Sequence, residues 1–254
     1  MVRCLAALRS DDVGTGVALV APVPDARPRD SVVFERAAAV TSSVAKRAID
    51  IAFALAGLTL SAPFWLLIPL AIKIEDRGPA FFRQERSGLG GRVFLALKFR
   101  SMRPDAEKGG ALQSTTGDPR VTRIGRVLRA TALDELPQLL NILRGDMSAV
   151  GPRALRPGEI EARGNGEFER LEDVPGFTVR SAVRPGLTGV AQIYAPRDLP
   201  RRAKFRYDRR YILRQYLSLD VRLILLSFWI SVSGTWEERG ASTHVRRQGE
   251  RERD

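Results

Sequence analysis

The sequence predicts an α+β fold, mainly helical, in which a few short strands accompany one long apolar run and several helices. Three observations predict it. Residues 51–72, IAFALAGLTLSAPFWLLIPLAI, contain 22 consecutive uncharged positions, and about 20 apolar residues in a helix suffice to cross a bilayer core. AFFRQ (80–84) and RVFLALKF (92–99) alternate between glycine-punctuated breaks, as short strands do. Segments 121–131, 133–147 and 201–217 carry the composition or spacing of helices.

In chain order, residues 1–40 carry Pro22, Pro24 and Pro28 and no sustained period, and are expected to form a loosely ordered tail. Asp11 and Asp12 interrupt any apolar stretch of signal-peptide type. The apolar run follows. Pro63 lies near its middle, with Ser61 just before it and Pro69 beyond. A proline removes a backbone donor and clashes with the preceding turn, so a kink or break belongs there. Ser61 is placed to satisfy backbone groups freed at the break. Lys46 and Arg47 precede the run, and Lys73, Arg77, Arg83 and Arg86 follow it. A spanning helix concentrates its basic flank on one side, whereas basic flanks at both ends suit a hairpin returning to one face. Local pattern leaves three readings open: a re-entrant helix–break–helix, a plain span, and a buried core helix.

Beyond the strands, 104–120 reads as a polar loop. VTRIGRVLRAT (121–131) sets Ile124, Val127 and Leu128 opposite Arg123, Arg126 and Arg129. LDELPQLLNILRGDM (133–147) reads as one helix, with Asp134 as N-cap, Glu135 and Pro137 in its first turn and Gly145 at its stop. VRPGLTGVAQIY (183–194) reads as a turn into a short strand, and 201–217 as an Arg- and Tyr-rich helix. VRLILLSFWISV (221–232) is too short to span comfortably. With Trp229 and Trp236 it suits the membrane interface, or else a core helix. A polar tail, 237–254, closes the chain.

The chain has 254 residues and a formal charge of +12, and residues 41–236 hold the whole surplus, 31 basic against 19 acidic. Such a surplus implies a polyanionic partner: nucleic acid, an anionic membrane surface or a phosphorylated substrate. One cysteine, Cys4, excludes a disulfide framework and a cysteine zinc ribbon; one histidine, His244, excludes a multi-histidine metal site. Chemistry then falls to carboxylates. Asp134 and Glu135 stand side by side where Arg129, Arg153, Lys98 and Arg100 supply cations. Aspartate can act as a covalent nucleophile toward phosphorus, and Mg²⁺ takes one or two carboxylates together with substrate phosphates. Adjacent helical residues point about 100° apart, so the two carboxylates can serve different partners. The plainer reading gives Asp134 a capping role and Glu135 a dipole role. Gln192 is a candidate substrate-binding residue or a structural one.

The strings KRAIDI (46–51), GPAFFRQERSG (78–88), KFRSM (98–102), LDELPQLLNILRGDMSAVGPR (133–153) and RPGLTGVAQ (184–192) resemble the bacterial sugar transferase family, from about Lys46 to Val232. These are monotopic phosphoglycosyl transferases that begin surface-glycan assembly. The resemblance implies a re-entrant membrane helix hairpin, about 46–74, broken at Ser61 and Pro63. It implies a small cytoplasmic catalytic domain with interfacial helices, held on the bacterial inner membrane. Transfer of a sugar 1-phosphate from a nucleotide diphosphate sugar, usually a UDP-sugar, to undecaprenyl phosphate is implied, with UMP released and no nucleic acid involved. It implies Asp134 as covalent nucleophile, Glu135 as a Mg²⁺ ligand, and Lys98, Arg129 and Arg153 on phosphate or nucleotide. Two positions depart from the family pattern. Ala62 precedes Pro63 where serine is common, and Ala154 follows Arg153 where proline is common. The chain resembles the smaller members, which lack four further spanning helices.

Overall fold

The computed structural model describes residues 28–106, 118–162, 167–196 and 199–233. Cys4, Trp236, His244, the tail 237–254, residues 1–27 and most of the polar loop lie outside the described residues.

Helix α1 (Pro28–Ser42) opens the described chain. This corrects the expectation of a loose tail through residue 40. Val33 and Ala37, four residues apart, are buried in the main core. A stripe of two small apolar residues is too weak a period to read from sequence, and packing supplies what propensity does not.

α2 (Val44–Leu60) and α3 (Phe64–Asp76) form the apolar run. Among the described residues no single helix is long and apolar enough to cross a membrane. The α2–α3 pair passes that test together, bent by 60°. The expected break therefore falls at Ser61–Pro63, as an open elbow rather than a tight antiparallel hairpin. Pro63 has no N–H for the ladder, and the bonds around it shorten to Ala62 N–H on Thr59 O (3.3 Å) and Phe64 N–H on Ser61 O (2.9 Å). Ser61 is buried, its hydroxyl on Leu58 O at 3.4 Å, and it accepts Trp65 Nε1–H at 3.1 Å. Trp65 then stacks near Phe99 and Phe81, which ties the elbow to the strands. Leu60, Leu66, Leu67, Leu70 and Ile74 remain 54–79% exposed. That contiguous apolar face has no protein partner among the described residues.

β1 (Phe81–Ser87) and β2 (Val93–Phe99) pair antiparallel, Phe82 opposite Lys98 and Arg86 opposite Phe94. α4 (Arg123–Thr131) follows, capped by Thr122, whose hydroxyl accepts Gly125 N–H at 2.9 Å. Gly125 has no alternative: a Cβ there would lie 2.0 Å from Ser101 O.

The predicted helix 133–147 is two elements. Leu133–Glu135 form a 3₁₀ turn and α5 spans Gln138–Arg144. Asp134 is not an N-cap; α5 begins at Pro137 without a side-chain cap. Gly145 does end the helix, at φ 93°. β3 (Ser148–Val150) runs parallel to β6 (Gly186–Thr188), and β4 (Ile160–Ala162) pairs with β5 (Phe168–Arg170). α6 (Phe177–Ser181), α7 (Val190–Tyr194), α8 (Arg201–Leu213) and α9 (Leu217–Val232) complete the fold. Segment 183–194 does contain the expected short strand, β6, but its end, from Val190, is the helical turn α7.

The main core joins α1, β3, α6, α7, α8 and α9 through Val33, Val150, Val179, Ile193, Ile212 and Leu223. α9 is apolar on two faces, one in the core and one exposed. Leu223 and Ile230 are core residues, while Val221, Leu225, Phe228, Trp229 and Val232 form an exposed apolar stripe at helical spacing.

Candidate active site

The site is built where α4 stops. Ala132, at φ 57°, ends α4 in the left-handed region and turns the chain sharply into the 3₁₀ turn. Alanine at positive φ carries strain of order 1 kcal/mol or more, held in place by the packing of Leu128 and Leu133 around it. Asn141, fully buried, locks the following helix to β2: it accepts Leu97 N–H at 3.0 Å and donates to Leu95 O at 2.8 Å. The carboxylates of Asp134 and Glu135 thereby face the end of β2, where Lys98 stands.

The two carboxylates differ. Glu135 Oε1 accepts Lys98 Nζ–H at 2.6 Å and lies 3.4 Å from Arg153 Nη2. Burial alone would raise the Glu135 pKa; Lys98 and Arg153 overcome it and hold the group at about 2. Asp134 is 7% exposed and has no hydrogen-bond or ion-pair partner among the described residues. Burial pushes its pKa up to about 6. The charge of Glu135 adds to the rise, and Lys98, Arg129 and Arg153 oppose it. The result is an unengaged carboxylate, ionised at neutral pH, with three cations near enough to stabilise negative charge arriving beside it.

Of the other candidates, Arg153 is half-exposed and follows β3, bridged to Gly186. Arg129 lies in the last turn of α4 and acts on Asp134 through its charge. Arg100 is turned away: it is buried against Asp76 at the end of α3. Gly78 makes room for it, since a Cβ there would sit 1.9 Å from Arg100 Nη1. Gln192 lies on α7, its amide shielded beside Gly189. Arg86 was missed by sequence reasoning. Half-buried on β1, it donates to Ala154 O at 3.0 Å and adds positive charge toward Glu135. Burial, with Arg153 and Arg156 close by, lowers its pKa to about 10. Its period-2 relation to Phe82 was visible in the sequence; the register that sets Phe82 opposite Lys98 was not.

Among the described residues no cluster of three or more metal-ligating side chains exists. Glu135 Oε1 is engaged by cations, which leaves Oε2 and the Asp134 carboxylate as donors. Such a pair fits a Mg²⁺ ion that brings substrate phosphates as its remaining ligands, and does not fit a metal caged by protein alone.

A profile of the bacterial sugar transferase family matches residues 41–234. The exopolysaccharide production protein PSS of Rhizobium leguminosarum bv. phaseoli is 44% identical over 188 residues, 71% of this chain and 92% of the relative. The UDP-glucose:undecaprenyl-phosphate glucose-1-phosphate transferase of Caulobacter vibrioides is 42% identical over 191 residues, covering 73% and 69%. The UDP-N-acetylgalactosamine-undecaprenyl-phosphate N-acetylgalactosaminephosphotransferase of Aeromonas hydrophila is 38% identical over 192 residues, covering 74% and 44%. The chain is a phosphoglycosyl transferase enzyme. It belongs to the bacterial sugar transferase family.

Proposed function

We propose that the chain transfers a sugar 1-phosphate from a UDP-sugar to undecaprenyl phosphate, as the first step in building an exopolysaccharide. The observation that carries this reading is the unpartnered Asp134 beside a Glu135 already held by Lys98 and Arg153. An Asp134 oxygen attacks the phosphorus that bears the sugar. The bond from that phosphorus to the bridging oxygen breaks, and UMP leaves with the electron pair. An oxygen of undecaprenyl phosphate then attacks the aspartyl phosphosugar, and Asp134 departs as carboxylate. Lys98, Arg129 and Arg153 stabilise the charge that develops on the phosphoryl oxygens. Bound Mg²⁺, which Glu135 and Asp134 would hold, would supply electrostatic stabilisation of the negative charge on the departing UMP. Arg100 holds α3 to the strands and takes no part in the chemistry.

An assay of UMP release across a panel of UDP-sugars tests this. Release beyond one equivalent per enzyme is expected only with Mg²⁺ and undecaprenyl phosphate both supplied, a single equivalent being released without the lipid, and kcat/KM is expected to fall below about pH 6 as Asp134 gains its proton. Release with no dependence on the lipid phosphate would refute the reading.

The open α2–α3 elbow, with its exposed apolar face, supports a re-entrant membrane element, and the exposed stripe of α9 supports an interfacial helix beside it. In this reading the catalytic turn lies on the cytoplasmic face of the inner membrane. Val44 and Lys73 are both exposed at opposite ends of the element. Single cysteines at these positions, in a Cys4→Ser background, are expected to resist an impermeant thiol reagent in intact spheroplasts and to react after lysis. Labelling of either one from the outside would establish a span instead.

A further inference from the structure

Two shielded polar side chains without hydrogen-bond partners, Thr188 and Gln192, lie at and beyond the carboxyl end of β6, the strand parallel to β3. β3 leads into Gly151-Pro152-Arg153 and β6 into Gly189. The two loops touch because they carry glycine: a Cβ on Gly186 would lie 2.0 Å from Gly151 N, and one on Gly189 would lie 2.2 Å from Gly151 O. The same missing Cβ on Gly189 faces Gln192 Oε1, at 2.7 Å. Thr188 is 3% exposed and its hydroxyl has no partner among the described residues; neither do Gln192 Oε1 and Nε2. Three shielded polar atoms on two residues four positions apart are expensive, at about 1–3 kcal/mol for each unsatisfied group. Buried polar groups are otherwise almost always paired.

We infer that Thr188 and Gln192 form the base-reading end of the nucleotide site. This rests on the nucleotide-sugar reading above and assigns one part of it. The imide edge of uracil presents acceptor, donor, acceptor. Gln192 Nε2–H donates to one ring carbonyl, Gln192 Oε1 accepts the ring N3–H, and the Thr188 hydroxyl donates to the other carbonyl. Order along the chain matches order along the ligand. Gly189 adjoins both Gln192 Oε1 and Gly151 O, Arg153 follows Gly151 by two residues, and Arg153 reaches Glu135. Base, diphosphate and sugar-bearing phosphorus thus run from Gln192 past Arg153 to Asp134. These atoms are covered in the ligand-free chain, so binding the base requires the touching Gly151 and Gly189 segments to part.

The test is direct binding of UMP and of N3-methyl-UMP, with Mg²⁺, to the full chain in nanodiscs. The methyl group removes the N3–H donor and leaves ribose and phosphate unchanged. The wild-type chain is expected to bind UMP about tenfold more tightly than the methylated compound, the worth of one well-made buried hydrogen bond. In Gln192→Leu the two ligands are expected to bind within about twofold of each other. Thr188→Val is expected to weaken both severalfold and keep the ratio. A purely structural role would lower melting temperature and leave the wild-type ratio in place, which overturns the proposal. So does a wild-type chain that binds both ligands equally. Should Gln192→Leu fail to fold, Gln192→Met carries the same comparison. A wild-type chain that binds no UMP at all refutes the nucleotide-sugar reading itself, a different result from a retained preference in Gln192→Leu.

Discussion

Asp134→Asn is expected to abolish turnover and to raise the melting temperature at pH 7, and Glu135→Gln to lower both. Neighbouring carboxylates give opposite stability effects because their pKa values move in opposite directions. For Asp134 the folded value is raised from 3.8 to about 6. Its favourable contribution is complete below the unfolded pKa and is lost as pH rises through about 6, so at pH 7 the ionised side chain is a net cost. An asparagine carries no charge to desolvate, and the gain is about 1–3 kcal/mol at pH 7. It shrinks as pH falls from 7 toward 5. For Glu135 the folded value is lowered from 4.5 to about 2. Its contribution is present above the unfolded pKa and is lost only as pH falls toward about 2. Removing that charge at pH 7 leaves Lys98, whose side chain is 16% exposed, without its close partner, at a cost of about 2 kcal/mol. Turnover in Asp134→Asn should fall by at least about 10⁴, as for other lost nucleophiles. Thermal melts at pH 7 and 5, paired with UMP release and with capture of radiolabelled phosphosugar on the protein, measure all of this. An Asp134→Asn chain that still turns over, or that melts below wild type at pH 7, removes Asp134 from the role assigned to it.

That contrast could not be read from the sequence, although the residues could. Leu-Asp-Glu-Leu-Pro-Gln looks like a helix start, and on that reading Asp134 spends its carboxylate on backbone N–H groups. The left-handed Ala132 and the 3₁₀ turn make the difference, and both depend on packing from α4 and β2 rather than on local preference. The elbow at Pro63 was legible because proline imposes it whatever its surroundings. Lys98 and Arg100 were indistinguishable in sequence, two residues apart at one strand end. The structure separates them because β2 ends at Phe99 and Asp76 captures Arg100 beyond it. α9 was ambiguous for a physical reason: a helix lying between a core and an apolar surface is apolar on both faces.

Lys46 and Arg47 were read from sequence as charges flanking a membrane element, and both are turned inward. Lys46 is 7% exposed, 3.0 Å from Asp220 and 3.6 Å from Asp50. Asp50 also accepts Ser148 Oγ–H and Ala149 N–H, each at 2.9 Å, and Asp220 accepts Tyr211 OH at 2.9 Å and Gln215 Nε2–H at 3.0 Å. One cation thus balances two buried carboxylates from α2 and α9, with β3 hydrogen-bonded between. Arg47, about 100° further round the helix, donates to Ile142 O at 2.7 Å and Leu143 O at 2.8 Å, at the end of the helix that begins at the catalytic turn. The first turn of α2 is therefore fastened to the rest of the fold on two sides. Lys46→Met removes the cation and leaves both carboxylates buried, so its cost should be about 3–5 kcal/mol, the largest of any single replacement considered. The double variant Lys46→Met/Asp220→Asn should recover a substantial part, since it removes one of the two charges left unbalanced and keeps a partner for Tyr211 and Gln215. A coupling energy of at least about 1 kcal/mol between the two sites in denaturant melts is the expected signature. Additive losses would mean that Lys46 acts by packing its aliphatic stem alone. Because the fastening joins the α2–α3 elbow to the turn that carries Asp134, activity in these variants should fall and recover together with stability.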